Sequence, residues 1–159
     1  TERNYLSINE EIKTITSYLD LEKARFLNDF NYSIIVNKEI DTDLYKIPTM
    51  LLQPFIENAI KHGLLHLKGN KILTVVFQKN KNALEISIDD NGIGRKRSEE
   101  LNASNRKDHI SFATHAIDKR LEILNKNKTN KITIQYIDKL EFEESIGTTV
   151  LINIPTTWK

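Results

Sequence analysis

The sequence predicts an α+β fold, a two-layer α/β sandwich in which helices cover one face of a mixed sheet, preceded by a long N-terminal helix. Two observations support this prediction. Segments with helical periodicity alternate along the chain with short β-branched or alternating segments. The 159 residues are 39% hydrophobic, an ordinary proportion for about one globular domain. We find no internal repeat.

The composition excludes several classes of protein. The chain has 23 Lys+Arg against 22 Asp+Glu, a formal charge of +1, so no global field would attract nucleic acid or an anionic membrane. The absence of cysteine excludes disulfides, thiolate catalysis and cysteine zinc sites, and it fits a reducing cytoplasm. No apolar run approaches the roughly 18 residues that a membrane span needs. Any anion site must therefore be local.

The first segment has the pattern of one long helix with a narrow apolar stripe. Ser7 and Glu10 form a capping box at its start. The stripe could dock on the rest of the chain, dimerise, or pair with a helix outside this sequence, and its coiled-coil-like spacing favours the last two alternatives. Its apolar residues recur at spacings of three, four and seven: Ile8, Ile12, Ile15, Leu19 and Phe26.

The next elements follow from changes in period. Residues 32–36 are β-branched and predict a strand. Pro48 is expected to open a second helix, which has a broad apolar face and ends at Gly63. Residues 71–78 and 83–89 then predict two strands joined by a turn, and the second alternates apolar and polar side chains.

The second half of the chain opens with a polar stretch. Residues 91–108 hold too few hydrophobic side chains for a regular buried element, so they predict a long functional loop. A third helix runs from about Phe112 and ends near Asn125. Residues 131–137 and 148–154 predict two further strands, separated by a charged turn that closes at residues 145–147.

Three polar groups along this framework could bind a nucleotide. Asn58, Lys61 and His62 lie three and four residues apart, so an α-helix would place them on one stripe, opposite Phe55 and Ile56. An amide oxygen, an ammonium group and an imidazole together suit a magnesium-bound polyphosphate. The alternative is a solvated helix face, and the stripe taken alone favours that alternative.

The other two groups stand at strand ends. The sequence DDNGIG, residues 89–94, places a carboxylate beside two glycines; these let the backbone approach a flat ligand, and a carboxylate can accept from an exocyclic amine such as that of adenine. Gly147 and Thr148 begin the last strand and offer a similar combination. Each of these two groups, taken alone, could equally be a tight turn.

Taken together, the motifs resemble a known superfamily. QPFIENAIKHG, DDNGIG and GTTVLINIP, in this order, resemble the ATP-binding domain of the histidine kinase, gyrase and heat-shock chaperone (GHKL) superfamily. The helix sequence YLDLEKARF followed by IPTMLLQPFIENAIKHG is similar to the LytS-type sensor histidine kinases. The resemblance runs from Tyr18 to Pro155 and implies a Bergerat-type nucleotide fold. The absence of a GxxxxGK[ST] phosphate loop agrees with it.

The resemblance implies a role for each residue of the first motif. Asn58 is expected to coordinate Mg2+, Lys61 to contact phosphate oxygens, and His62 to face the nucleotide beside them. Glu57 matches the acidic position before the magnesium asparagine and is the candidate catalytic residue. Whether Glu57 polarises an acceptor histidine or only orients the helix is left open.

The resemblance also assigns the remaining motifs. Asp90 is expected to accept from the adenine amine of ATP, while Gly92 and Gly94 shape the base pocket. Residues 95–110 correspond to a mobile ATP lid. A last glycine box is formed by Gly147 and Thr148.

In two respects the sequence departs from the family pattern. The second glycine box begins with Ser111 and Phe112 and has Ala113 where glycine is expected, which would hinder a close approach to phosphate if that residue needed a positive φ. The phosphoacceptor histidine of the family, which lies in a PHFLFN-like motif, has no counterpart in this sequence; His66, His109 and His115 are not candidates for it.

The resemblance implies two parts of the chain and several partners. Residues 1–30 would be the second helix of a dimerisation and phosphoacceptor hairpin whose first helix is absent, and residues 31–159 the catalytic ATP-binding domain. The expected partners are that hairpin, a response regulator receiver domain and, in the full-length protein, a second copy. The expected location is the cytoplasm, with the full-length protein anchored in the bacterial inner membrane.

Other functions stay open at this point. A kinase domain is the leading hypothesis, and the flanking helix favours it over gyrase-like or chaperone-like ATPases. An altered second glycine box would also suit a nucleotide sensor or scaffold without kinase activity. A third alternative is an RNA-contacting patch made of basic lid residues, which neighbouring acidic residues offset: Arg95, Lys96, Arg97, Arg106 and Lys107.

Overall fold

The computed structural model describes residues 4–27, 29–103 and 109–158, without the side chains of residues 102, 103 and 109–114. Its elements are β1 (Tyr5–Ser7), α1 (Ile8–Arg25), β2 (Phe30–Val36), β3 (Lys46–Pro48), α2 (Gln53–Asn58), a π-helical turn (Ala59–Leu64), β4 (Lys71–Lys79), β5 (Ala83–Asp90), α3 (Arg95–Ala103), α4 (His109–Asn125), β6 (Thr133–Glu141) and β7 (Glu144–Pro155). None of the described helices is both long and apolar enough to cross a membrane.

A five-stranded mixed sheet forms the centre of the fold, in the order β2-β4-β5-β7-β6. β2 pairs with β4 in parallel, and the other pairs are antiparallel. The strands alternate between a buried and a solvent-facing side: Leu73, Val75 and Phe77 of β4 are fully buried, whereas Ile72 is 48% exposed. The predicted α+β sandwich with a mixed sheet and a long N-terminal helix is confirmed.

Helix α1 packs on this core. The predicted capping box is present: the Glu10 amide donates to Ser7 Oγ (3.1 Å) and the Ser7 amide donates to Glu10 Oε2 (2.9 Å). Ile8, Ile15 and Leu19 are fully buried in the same apolar core as the sheet. Of the alternatives left open by the sequence, these three side chains therefore follow the first, docking on the rest of the chain.

The start of the second helix was predicted wrongly. Pro48 does not open it; Pro48 ends β3 and pairs with Tyr5 of β1 in a small two-stranded sheet. The helix begins at Gln53, with Pro54 in its first turn. Proline suits the first turn of a helix and also a strand in a two-stranded sheet, so the sequence rule alone could not choose between the two prolines.

The second half of the chain shows two further differences. Residues 95–103, predicted as loop, form α3; its surface is polar and mostly exposed, so no apolar stripe marked it. The β6–β7 turn lies at Phe142 and Glu143, which have φ of 50° and 67°, rather than at residues 145–147. Helix α4 ends at Asn125 as predicted.

Candidate functional site

A cavity opens between the second helix, α3 and three strands of the sheet. The π-helical turn and α3 form two of its sides, and β5, β6 and β7 form its floor. Its polar side chains come from five parts of the fold, namely the second helix, β5, α3, β6 and β7: Asn58, His62, Asp90, Arg95, Ser98, Glu99, Tyr136 and Thr148. Three groups singled out in the sequence thus meet at one place, which no single motif could establish.

Asp90, the last residue of β5, lies at the base of the cavity with 4% of its surface exposed. Its Oδ1 accepts from the Gly92 amide at 2.8 Å. Burial raises the pKa of the Asp90 carboxyl to about 6, although the Gly92 and Thr148 amides act in the opposite direction. A buried carboxylate with free lone pairs is a strong acceptor for an amine donor on a ligand.

Asp89, its neighbour, faces the other side of the sheet. Lys139 Nζ lies 2.9 Å from the Asp89 carboxylate, and the Thr149 hydroxyl donates to the same group. Because side chains alternate along a strand, only one of two adjacent aspartates can enter the cavity. The structure therefore places Asp90, the residue that the sequence singled out, in the site.

Asp90 gives the stability of the free protein a pH dependence. Its folded pKa of about 6 lies above the ordinary value of 3.8, so the folded state holds this proton more tightly than the unfolded state. The stability that it contributes is full below about pH 4 and is lost as the pH rises to about 6, with a total of about 3 kcal/mol. Urea unfolding of wild type and Asp90→Asn across this range is expected to show this loss in the wild type only. An equal pH slope in both proteins would contradict the assignment.

Two positions at this end of the cavity require glycine. Gly147 has φ of 128°, and a Cβ there would lie 1.9 Å from the Asp90 carbonyl oxygen. Gly94, on the cavity wall, has φ of 81°, and a Cβ there would lie 1.8 Å from Ser145 Oγ. Both positions therefore require glycine, as the motifs suggested.

The second helix presents Phe55, Asn58, Ala59 and His62 to the cavity. The sequence placed Phe55 on the opposite face from Asn58 and grouped Lys61 with it; the structure corrects the first point, and Lys61 is exposed outside the cavity lining. Phe55 and Asn58 are three residues apart within α2, and α-helical spacing places such residues on one face, so the prediction misplaced Phe55. The π-helical turn, closed by a bond from the Leu65 amide to the Ile60 carbonyl at 2.8 Å, begins only after Asn58.

His62 is half-buried beside Asn58, and its surroundings disfavour the charged imidazole. Burial is the main cause that lowers the pKa of His62, and the nearby His66 and Lys61 lower it further. A neutral imidazole can both donate and accept a hydrogen bond, so His62 can pair with either kind of polar group on a ligand.

Glu57 points away from these side chains. Its Oε1 accepts from Gln53 Nε2 at 3.3 Å, within the same helix. The charge of Glu57 contributes to the raised pKa of Tyr18 in α1, which burial and Glu22 raise more strongly, to about 12. The candidate catalytic residue thus lies on the side of the second helix that faces α1, and its role stays a prediction.

Tyr136 of β6 and Arg95 of α3 lie side by side in the cavity lining. The Arg95 guanidinium forms a bidentate pair with Asp138 (2.9 and 2.8 Å) and lies 4.8 Å from the centre of the Tyr136 ring. The other neighbour of Tyr136 is Phe55, with 6.5 Å between ring centres. Because Arg95 is paired with Asp138, this member of the basic residues considered as an RNA-contacting patch is already neutralised.

Some predicted site residues are only partly described. Ser111 and Phe112 fall within α4, but their side chains lie outside the described residues, as do residues 104–108 of the predicted lid. Position 113 also falls within α4, and a helical backbone has a negative φ, which alanine adopts readily. The positive φ that would have made Ala113 a hindrance therefore does not arise in this structure.

Sequence reasoning missed Tyr136, Val150 and Ser98 as lining residues. Tyr136 and Val150 are directly paired across β6 and β7, so the register between these two strands would have joined them to Thr148, two positions earlier on the same face. No signal marked Ser98, because α3 itself was not predicted.

Comparison with solved structures shows which proteins share this fold. The structure matches the catalytic domain of histidine kinase ThkA with a TM-score of 0.65 at 13% identity, over 100% of both chains. It also matches ThkA solved in complex with the response regulator protein TrrA, with a TM-score of 0.55 at 14% identity, over 96% of this chain and 41% of that one. The chain therefore has the fold of a histidine kinase catalytic domain.

Sequence comparison then identifies which histidine kinases the chain is similar to. The chain is 38% identical over 93 residues to the sensor protein LytS of Staphylococcus saprophyticus, and 31% identical over 87 residues to the sensor histidine kinase BtsS of Escherichia coli. These matches cover 57% and 55% of this chain and 15% of each relative. No family model matches. The resemblance to LytS-type sensor kinases is confirmed, in sequence over more than half of the chain.

Proposed function

We propose that this chain is the ATP-binding catalytic domain of a two-component sensor histidine kinase, which transfers the γ-phosphoryl group of ATP to a histidine outside the chain. The observation that carries the proposal is the convergence of Asp90, Asn58 and His62 on one cavity of a histidine kinase fold. Because the chain spans only 15% of the length of the sensor kinases it matches, their activity is inferred here.

The cavity residues fit the adenine half of ATP. The Asp90 carboxylate is buried, accepts from the backbone amides of Gly92 and Thr148, and is suited to accept also from the exocyclic amine of adenine. Ala59 and Val150 offer apolar surface for a flat base, and Tyr136 and Phe55 add aromatic surface. This combination of a few polar groups on apolar walls is typical of a ligand pocket.

Asn58 fits the magnesium end of the nucleotide. The described residues contain no cluster of three or more His, Cys, Asp or Glu side chains able to hold a metal by themselves. Mg2+ prefers oxygen ligands and is usually bound through one or two protein groups and the phosphates of the substrate, so a single amide oxygen is sufficient. When bound, Mg2+ neutralises the charge that develops on the phosphate oxygens.

The chain contributes mainly positioning to the reaction. Asp90 would fix the adenine ring, and Asn58 and His62 would line the cavity between the adenine and the phosphates. Gly94 and Gly147 let the backbone approach closely there. Phosphoryl transfer gains most of its rate from holding the nucleophile in line with the breaking bond. The nucleophile would be the imidazole of an acceptor histidine, and ADP would leave.

We also propose the partners and the location that the resemblance implies. A receiver domain would take the phosphoryl group onto an aspartate, and the ThkA–TrrA complex supports such a partner. Residues 1–30 would belong to a helical hairpin that dimerises in the full-length protein, on the cytoplasmic side of the inner membrane. Ile8, Ile15 and Leu19 are buried, so that hairpin would need another part of α1, such as the exposed Leu21.

Incubation with labelled ATP tests the proposed transfer. The chain alone is expected to bind ATP without becoming phosphorylated on histidine, because His62 lies on the second helix only four residues after Asn58 and is not expected to swing into line with the breaking bond. Adding in trans a helical segment that carries an acceptor histidine is expected to give acid-labile label on that segment. Phosphohistidine on the isolated chain, mapped by mass spectrometry, would contradict the assignment.

A further inference from the structure

Ser98 has a buried hydroxyl without a partner. It lies in α3, is 3% exposed and lines the cavity. Among the residues that the structure describes, its Oγ has no hydrogen-bond partner. Helical hydroxyls often bond to the carbonyl four residues earlier, as Thr14 (3.2 Å) and Ser17 (3.1 Å) do in α1, but Ser98 does not.

The stability of α3 does not explain why a serine, and not an alanine, stands at position 98. A buried, unpartnered hydroxyl destabilises a protein, and alanine is the better helix former at the same size. The rest of α3 is mostly exposed, so most of its polar side chains are solvated and Ser98 is the exception among the described ones. A polar group kept at such a position points to a ligand that pairs with it.

The hydroxyl is held in place by the start of α3. The Ser98 amide donates to the Gly94 carbonyl at 3.1 Å, and Gly94, with φ of 81°, leaves no room for a Cβ beside Ser145. One residue on, the Arg95–Asp138 pair ties the first turn of the helix to β6. Ser98 is therefore positioned before any ligand arrives.

The charges near Ser98 favour a neutral ligand group. Glu99 lines the same cavity, and its carboxylate would repel a phosphate. The nearby cation, Arg95, is already neutralised by Asp138. Helix α3 also packs against the π-helical turn, whose Gly63 adjoins Asp90 at the proposed base end of the cavity. The ribose hydroxyls and the base ring are the neutral hydrogen-bonding groups of a nucleotide.

We propose that the Ser98 hydroxyl binds the nucleoside half of the nucleotide in this cavity and so contributes to its affinity and selectivity. This inference rests on the proposed ATP-binding function. Helix α3, which lies in the predicted lid, would then contact the nucleotide directly through Ser98.

Ser98→Ala tests the proposal. The matched control is Ser87→Ala, because Ser87 lies on the face of β5 opposite to Asp90 and outside the cavity lining. In the free protein, the melting temperature of Ser98→Ala is expected to equal or exceed that of wild type, since a hydroxyl without a partner is removed. Its affinity for ATP and for AMP, measured by calorimetry, is expected to fall by the same factor, about 5- to 20-fold. Ser87→Ala is expected to bind as wild type, and Ser98→Thr, which keeps the hydroxyl, to recover part of the affinity.

Titration with 2′-deoxy-ATP separates the ribose 2′-hydroxyl from the other possible partners. If Ser98 contacts the 2′-hydroxyl, this analogue binds wild type and Ser98→Ala equally; if it contacts the 3′-hydroxyl or the base, the variant loses the same factor as with ATP. Equal ATP affinity of Ser98→Ala and wild type would overturn the proposal, as would a loss confined to ATP and absent with AMP. Absence of nucleotide binding in wild type would instead overturn the proposed function itself.

Discussion

Replacing Asp90 with asparagine is expected to weaken ATP binding by about 30- to 100-fold, the largest loss for a single conservative change in this site. The carboxylate accepts from the adenine amine, whereas an asparagine amide that turns its NH2 group toward that amine sets donor against donor. GTP carries a carbonyl at the corresponding position, so its affinity is expected to fall less. Calorimetric titration with both nucleotides measures the difference.

The control for Asp90→Asn is the neighbouring Asp89→Asn. Asp89 has the same chemistry but faces the other side of the sheet, where it pairs with Lys139. Its variant is expected to bind ATP as wild type does. Unchanged ATP affinity in Asp90→Asn would remove this carboxylate from the site and with it the proposed position of the base.

Replacing Asn58 with alanine is expected to abolish the magnesium dependence of ATP binding. Asn58 is half-buried on the cavity side of the second helix, outside the set of fully buried core side chains. Its amide oxygen is the proposed protein ligand to Mg2+, so the variant should bind ATP equally with and without the metal. Titrations in magnesium and in EDTA measure this effect, of about tenfold.

Circular dichroism of Asn58→Ala separates a functional from a structural loss. The helical signal and the melting temperature are expected to stay close to wild type, and Asn153→Ala, on β7, provides a matched amide removal outside the cavity lining. A variant that unfolds would make Asn58 a structural residue. A folded variant that retains magnesium dependence would place the metal elsewhere.

Local patterns predicted most of the regular elements. The alternation in residues 83–89 defined β5 and, with it, which side chains can enter the cavity. The Ser7–Glu10 capping box defined the start of α1. These features depend on neighbours within a few residues, so the sequence carries them directly.

The features that the sequence did not predict depend on distant contacts. Tyr136 enters the cavity lining through the pairing of β6 with β7, which sets it opposite Val150. Helix α3 has no apolar stripe; tertiary contacts such as the Arg95–Asp138 pair, 43 residues apart, hold its first turn. For the same reason the sequence could name Asp90 and Asn58 but could not find Tyr136 or Ser98.

Calorimetric titration of this chain with magnesium ATP tests whether the cavity is a nucleotide site. We expect saturable binding of one nucleotide per chain that weakens when magnesium is removed and weakens again below about pH 6, as Asp90 takes up a proton. The pH effect should disappear in Asp90→Asn. No detectable binding at millimolar ATP, or binding that neither magnesium nor Asp90→Asn changes, would contradict the account.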